Sequence, residues 1–141
     1  MALGYLVDTN IISETENLQA ADKNVTVKLQ EHWDELALSA ISWHEILYGY
    51  HCLPTSKRKQ RVRFFIENTL EPNIPILPYD AAAAEWFATE RARLSRLGRP
   101  PAYADGQIAA IAAVNNLTLV TRNVQDFADF ANLRIENWFD A

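Results

Sequence analysis

Gly-Tyr-Leu-Val-Asp-Thr-Asn, residues 4–10, is a short apolar run that ends in an acid and two small polar residues. The run predicts a buried β-strand over residues 4–8. Thr9 and Asn10 are residue types that cap helix N-termini, so a helix is expected to begin there and to include Glu14. A buried strand that passes directly into a helix indicates an α/β fold if the rest of the chain repeats this order.

The rest of the chain does alternate between strand and helix signals. Further strands are expected at 36–41, 74–77, 117–121 and 133–135, and helices at 21–33, 43–50, 57–70, 81–98, 103–116 and 123–130. Ser42 is expected to cap the helix at 43–50, and Asp80 the long Ala-rich helix. The sequence therefore predicts a single three-layer α/β/α domain over residues 1–141, with a short, mostly parallel sheet of four or five strands.

Length and composition limit the class of protein. A chain of 141 residues with 49% apolar and 22% charged residues fits one globular domain. The longest apolar run, Ile108–Val114, has seven residues, whereas a membrane span needs about 20. The N-terminus lacks the basic region and long apolar stretch of a secretory signal. A single cysteine, Cys52, forms no internal disulfide. We therefore expect a cytoplasmic protein that does not bind a membrane.

The net charge of −5, from 18 acidic and 13 basic residues, does not by itself favour a nucleic-acid-binding protein. The distribution of the basic residues qualifies this, because nine of them lie in two short segments, 57–63 and 91–99. Such a surface offers two places for phosphates and leaves an acidic remainder for cations. Two solvated helix faces are the alternative explanation of these segments.

Four acids stand next to residues that should be buried: Asp8 at the end of the first strand, Glu45 in the first turn of an apolar helix, Asp105 at the start of a helix of Ile and Ala, and Asp126 after the strand at 117–121. An ionised carboxylate in such a place is unfavourable unless it is hydrogen-bonded, paired or bound to a cation. Sites in open parallel sheets form at the carboxyl ends of strands. Oxygen ligands gathered there would suit Mg²⁺ or Mn²⁺. The alternative is that each acid only caps a helix.

Four segments carry a family resemblance. They are Tyr-Leu-Val-Asp-Thr-Asn at 5–10, Trp-His-Glu-Ile-Leu-Tyr-Gly at 43–49, Ala-Asp-Gly-Gln-Ile-Ala-Ala at 104–110 and Leu-Val-Thr-Arg-Asn-Val-Gln-Asp-Phe at 119–127. In this order the segments resemble a PIN-domain ribonuclease, specifically a VapC-type toxin of a bacterial toxin–antitoxin pair in the branch that contains FitB-like proteins. The ending Leu-Arg-Ile-Glu-Asn-Trp at 133–138 is also similar to that family.

The resemblance implies a Mg²⁺-dependent endoribonuclease, with Mn²⁺ as the other candidate ion, that leaves a 5′-phosphate and a 3′-hydroxyl. Asp8 and Asp105 match the acids that would hold the first metal ion. Glu45 matches the acid that orients the attacking water or completes the ligand set, and Asp126 the acid that binds through water or serves a second ion. The residues that match supporting positions are Asn10, Thr121 and Asn123, the last standing where some family members carry a further acid.

The resemblance also implies partners. VapC-like toxins are usually homodimers that bind a small VapB-like antitoxin, and they contact DNA only through that antitoxin. The acidic site is a natural receptor for an antitoxin arginine. RNA is expected to follow basic residues toward the acids, and the candidates are Lys57, Arg58, Lys59, Arg99 and Arg122.

Three other interpretations remain open at this point. A catalytically silent PIN-like domain would act as an antitoxin-binding, DNA-regulatory partner. His44 and His51 would be zinc ligands, although their separation of seven residues does not match the zincin spacing of four. An aspartyl phosphatase would use Asp8 as its nucleophile, but it needs a second aspartate where this chain has Asn10.

Overall fold

The computed structural model describes residues 2–16 and 20–139, which form five strands and seven α-helices. The strands are β1 (Tyr5–Val7), β2 (Leu36–Ser39), β3 (Ile76–Leu77), β4 (Thr118–Val120) and β5 (Ile135–Glu136). The helices are α1 (Thr9–Ile12), α2 (Lys23–Glu31), α3 (Ala40–Cys52), α4 (Lys57–Phe65), α5 (Ala81–Arg96), α6 (Tyr103–Val114) and α7 (Val124–Phe127). None of these helices is long and apolar enough to cross a membrane.

The five strands form one sheet in the order β3-β2-β1-β4-β5, and every pairing between neighbours is parallel. β1 lies at the centre, with Leu6 opposite both Ala37 of β2 and Leu119 of β4. All carboxyl ends of the strands therefore lie at one edge of the sheet. This confirms the predicted α/β class and gives five strands, all of them parallel.

Alternate residues of the central strands face two separate cores, as the pleat of a strand requires. Leu6 and Leu119 pack against the layer that contains α5 and α6. Val7 and Val120, their neighbours in sequence, pack against the layer that contains α1, α2 and α4. The sheet is thus covered on both faces, which is the predicted three-layer α/β/α arrangement.

Side-chain caps fix the starts of α1 to α5, and the predicted caps of α1 and α3 are wrong. Asp80 accepts a hydrogen bond from the backbone N–H of Ala83 at 3.0 Å and caps α5, as predicted. In α3 the cap is Ser39, whose hydroxyl accepts from the N–H of Ser42 at 3.0 Å. Ser42 therefore lies inside the helix, and β2 ends two residues before the predicted strand end.

Other element bounds also differ from the prediction. The expected helix at 21–33 is α2 followed by a 3₁₀ turn, Trp33–Glu35, and a similar turn, Ser13–Thr15, follows α1. The expected helix at 57–70 is α4 followed by a π-helical turn, Ile66–Leu70. The first helix is capped by Asp8, which accepts from the N–H of Thr9 at 2.9 Å, and not by Thr9 or Asn10.

A hydrogen-bond network around the buried Glu90 and the partly exposed Arg93 joins α5 to the turn that follows α7. The Glu90 carboxylate accepts two hydrogen bonds from Arg93, at 2.8 and 3.0 Å, and one from the N–H of Ala131 at 2.6 Å. Arg93 also donates to the carbonyl oxygen of Asp129 at 2.8 Å. The hydrogen bonds from Arg93 hold the pKa of Glu90 below its usual range, against the opposing effect of burial. This network fixes the segment just beyond Asp126.

Candidate active site

Asp8 lies at the carboxyl end of the central strand and is buried, with 8% of the residue exposed. Its Oδ2 accepts a hydrogen bond from the hydroxyl of Thr121 at 2.9 Å, and its Oδ1 accepts one from the N–H of Thr9. The hydroxyl of Ser42 lies 3.5 Å from the same Oδ1. These donors orient the carboxylate without neutralising its charge, so it remains available to a cation.

Glu45 is brought to the same edge by α3, which begins directly after β2. Its side chain is exposed, and its Oε2 accepts a hydrogen bond from the hydroxyl of Thr9 at 3.1 Å. Thr9 therefore links the Asp8 turn to the Glu45 helix, because its N–H contacts one acid and its hydroxyl the other. The sequence analysis treated Thr9 only as a helix cap and missed this second role.

Asp105 is half-buried in the first turn of α6. Because α6 leads into the amino end of β4, its own N-terminus points back to the carboxyl edge of the sheet. The pKa of Asp105 is raised, mainly by burial and then by the negative charges of Asp126, Asp8 and Glu45. The other three predicted acids thus act on the carboxyl group of Asp105, and a cation placed among the four would relieve the repulsion.

Asp126 and the supporting residues complete this edge. Asp126 is exposed on α7, just after β4. Asn10 accepts a hydrogen bond from the backbone N–H of Arg122 at 3.1 Å through its Oδ1. The backbone N–H of Asn123 donates to the hydroxyl of Thr121 at 3.1 Å. The turn after β4 is therefore held by Asn10 on one side and by Thr121 on the other.

Two clefts flank the acids. The first, of about 220 Å³, lies between α1, α3 and α4; its lining includes Thr9 and Glu45 beside Arg58. The second, of about 260 Å³, includes Asp105 and Asp126 together with Arg99. Acids and basic residues therefore share both clefts.

The predicted RNA-binding residues do not all point to these clefts. Arg58 lines the Glu45 cleft and also a neighbouring surface depression that contains Arg61. Lys59 donates to the carbonyl oxygen of Leu53 at 3.1 Å and lies 5.1 Å from the ring centroid of Tyr50. Lys57 is exposed and lines none of these clefts. Arg61, which lies in the 57–63 basic segment but was not among the predicted RNA-binding residues, shares that depression with Arg58.

The donor chemistry of the acids fits a hard divalent cation. The described parts of the chain contain no group of three or more His, Cys, Asp or Glu side chains close enough together to hold a metal ion unaided. Mg²⁺ does not need such a cage, because it is usually bound through one or two carboxylates, several waters and substrate phosphates. The carboxylates around Asp105 therefore fit Mg²⁺ or Mn²⁺ better than zinc, which requires a closed set of nitrogen and sulfur ligands in structural sites.

Comparison with known proteins decides the family. The PIN domain model matches residues 5–133. The chain belongs to the PIN-domain family. Among curated PIN-domain relatives, the tRNA(fMet)-specific endonuclease VapC of Shigella flexneri is 32% identical over 136 residues, which are 96% of this chain and 98% of the relative. Toxin FitB of Neisseria gonorrhoeae is 33% identical over 124 residues, 86% of this chain and 89% of the relative. The resemblance to VapC and FitB is confirmed.

Solved structures confirm the PIN-domain fold. The FitAcB structure from Neisseria gonorrhoeae matches with a TM-score of 0.87 and 31% identity, covering 97% of this chain and 99% of the other. The DNA-bound VapBC structure from Salmonella typhimurium matches with a TM-score of 0.80 and 27% identity, covering 96% and 98%. The five-stranded parallel sheet and its flanking helices are therefore those of the family.

Proposed function

We propose that this protein is a divalent-metal-dependent endoribonuclease and the toxin of a bacterial toxin–antitoxin pair. The observation that carries the proposal is the placement of Asp8, Glu45, Asp105 and Asp126 at the carboxyl edge of the parallel sheet, where burial and then the charges of the other three acids raise the pKa of Asp105. The near-full-length similarity to proteins named as VapC endonucleases and ribonucleases supports the same conclusion. The metal ion is Mg²⁺ or Mn²⁺, because the donors are carboxylate oxygens.

The proposal gives each acid a role. Asp8 and Asp105 hold the first metal ion, because they are the most buried of the four and Asp8 is oriented by Thr121. When bound, the ion lowers the pKa of water and neutralises charge on the phosphoryl group. Glu45, fixed by Thr9 but open to solvent, accepts a hydrogen bond from the attacking water and orients it. Asp126 is exposed, and it binds through water or serves a second ion.

The RNA follows basic residues on either side of the acids. On the α4 side, Arg58 and Arg61 bind backbone phosphates next to the Glu45 cleft. On the other side, Arg99 lies in the cleft of Asp105 and Asp126, where its Nη1 is 3.7 Å from the carboxylate of Asp129. This pair is largely exposed and therefore weak, so a phosphate can displace Asp129.

We also propose that the protein is a homodimer that binds a small VapB-like antitoxin and reaches DNA only through it. Among related structures, FitAB is bound to the IR36 DNA fragment, and VapBC2 from Rickettsia felis is bound to a DNA fragment from its promoter. Light scattering of the chain alone and with its co-expressed antitoxin would test the assembly. Gel shifts with promoter DNA should require the antitoxin.

The nuclease assay uses end-labelled RNA in Mg²⁺ or Mn²⁺, with EDTA as the blank. The RNA panel includes tRNA(fMet), because the Shigella flexneri relative is named for it, together with ribosomal and messenger RNA fragments. The wild type should cleave at least one of these and leave a 5′-phosphate. Asp8→Asn should lower the rate by at least about 100-fold, because it removes charge that holds the metal, while Asn still caps α1.

Glu45→Gln is a second variant, on an exposed position where the fold is not at risk. Asp34→Asn is the matched control, since it removes one exposed carboxylate in the turn that leads into the amino end of β2. Wild-type cleavage by both Asp8→Asn and Glu45→Gln would overturn the site assignment. A wild type that binds antitoxin but cleaves no RNA in either metal would instead favour the silent, DNA-regulatory alternative.

A further inference from the structure

Arg122 has a fixed backbone next to the acids. It follows Thr121, whose hydroxyl donates to Asp8 at 2.9 Å, and its own N–H donates to Asn10 Oδ1 at 3.1 Å. The side chain is exposed, and it forms no salt bridge with any acid in residues 2–16 or 20–139. Among the residues that the structure describes, Arg122 therefore presents its charge at the carboxyl edge of the sheet with no acid in a salt bridge to it.

The guanidinium of Arg122 lies over the ring of Phe139, with 4.5 Å between Cζ and the ring centroid. Phe139 follows β5, which is the strand next to β4, so its ring reaches the same edge of the sheet. Its N–H donates to Asn137 Oδ1 at 2.9 Å, and its side chain packs against the core that contains Val7 and Val120. The ring therefore has a defined position.

Trp138, the residue before Phe139, anchors the segment that follows β5. Trp138 is buried, donates through its indole N–H to Glu136 at 3.0 Å, and packs against Tyr5 and His32 with ring centroids 5.2 and 5.6 Å away. Because Trp138 is held on both sides, Phe139 is delivered to the edge by a rigid segment and not by a free tail.

We propose that Phe139 is a positioning residue that holds the Arg122 guanidinium ready for a phosphate of the RNA. A guanidinium that stacks by its face keeps its N–H donors in the plane, where they remain free for bidentate contact with phosphate oxygens. Holding the side chain on the ring in advance reduces the entropy lost on binding. The proposal rests on the proposed function, because it assigns this contact to the RNA of the nuclease.

Binding of a fluorescein-labelled single-stranded RNA oligonucleotide, measured by anisotropy in EDTA, separates this contact from cleavage. Phe139→Leu keeps an apolar side chain but removes the ring, and it should raise the Kd about three- to fivefold, which corresponds to one cation–π contact. Phe139→Trp keeps a ring that cations prefer and should bind RNA as the wild type does. Thermal melts of each variant report whether the chain still folds.

The decisive comparison repeats Phe139→Leu in an Arg122→Ala background. If Phe139 acts through Arg122, adding Phe139→Leu to Arg122→Ala leaves the Kd unchanged. Steady-state cleavage by the Phe139→Leu variant then shows a raised KM with an unchanged kcat. Equal Kd values for Phe139→Leu and the wild type would overturn the proposal, as would an equal loss in both backgrounds. RNA binding is measured without metal and so does not depend on cleavage. If the wild type cleaved no RNA, that result would contradict the proposed function, but the Kd values would still test the role of Phe139.

Discussion

Gly106 of α6 packs directly against the Phe87 ring of α5, and it directly follows Asp105. A Cβ atom added at Gly106 would lie 1.9, 2.1 and 2.7 Å from Cε1, Cζ and Cδ1 of Phe87. The Phe87 ring is buried, with 2% of the residue exposed, and belongs to the core beneath the sheet. Gly106→Ala should therefore force the ring out of its place.

Two opposing effects determine how much Gly106→Ala changes the free energy of unfolding. Alanine is favoured over glycine in a helix by about 1 kcal/mol, whereas overpacking a core usually costs about 1–3 kcal/mol. Carbon atoms pack best at about 3.5–4.0 Å, so a contact of 1.9 Å requires a displacement of more than 1 Å in a closed core. The cost should reach the upper part of its range. We expect a net loss of about 1–2 kcal/mol in the free energy of unfolding, and a Tm lower by about 3–8 °C.

The chain offers a matched control in Gly49. It also lies in a helix, α3, but a Cβ there would meet no atom within 4 Å. Gly49→Ala should therefore raise the free energy of unfolding by up to about 1 kcal/mol, so that the same substitution has opposite signs at the two positions. Urea and thermal unfolding of both variants give the comparison.

Phe87→Leu combined with Gly106→Ala gives a further check. The double variant should be less destabilised than the sum of the two single variants, because leucine no longer fills the space that the new methyl group needs. A Gly106→Ala protein as stable as the wild type, alongside a stabilised Gly49→Ala protein, would refute the reasoning about this contact.

Three further predictions concern charge. Glu90→Gln should lower the free energy of unfolding by about 1.5–3 kcal/mol at pH 7. Because Arg93 lowers the pKa of Glu90, this difference from the wild type should persist above about pH 4.3 and vanish as the pH falls through the pKa of Glu90 in the folded protein. Urea titrations at several pH values would measure it. Mn²⁺ or Mg²⁺ at millimolar concentration should raise the Tm of the wild type but not that of Asp8→Asn, and equal shifts would exclude Asp8 as a ligand. Arg58→Ala should weaken RNA binding and flatten its salt dependence, whereas Lys57→Ala should change both little; the reverse order would place the RNA on the other face of α4.

Much of the fold could be predicted because its signals are local. An apolar run that ends at Asp8 specifies a buried strand, and the repeated order of strand and helix specifies parallel pairing. Parallel pairing in turn brings strand ends to one edge, which is why acids far apart in sequence could be expected to meet there. The raised pKa of Asp105 is the structural sign that they do.

What could not be predicted depends on contacts between distant segments. Ser39 and Ser42 both fit a helix cap by sequence; Ser39 takes the role because β2 pairs with β3 up to Ser39 and the helix begins only after it. The bond from Thr9 to Glu45 joins residues 36 positions apart. Likewise, nothing in the local sequence of Arg122 points to Phe139.

The positions of Arg58 and Arg61 on α4 could have been predicted from the sequence. Val62 and Phe65 are its buried residues, and Arg58 and Arg61 precede each of them by four positions. Residues four apart share a helix face, so these arginines, and not Lys57, lie beside the buried face. The burial pattern of a basic helix therefore says which of its charges reach the adjoining cleft.

The proposed activity requires one edge of the sheet to bind both a cation and the negatively charged RNA backbone. An RNA phosphate would have to approach an edge that carries Asp105, whose pKa is raised by burial and then by the charges of Asp126, Asp8 and Glu45. Basic residues among the acids would pair with them and displace the metal. Under the proposal, Arg58 in the Glu45 cleft and Arg122 on the ring of Phe139 would attract the RNA backbone, since neither forms a salt bridge to one of the four acids in the described residues. Acids and arginines that are neighbours but not paired would let an acidic protein bind both a cation and a polyanion at one edge of its sheet.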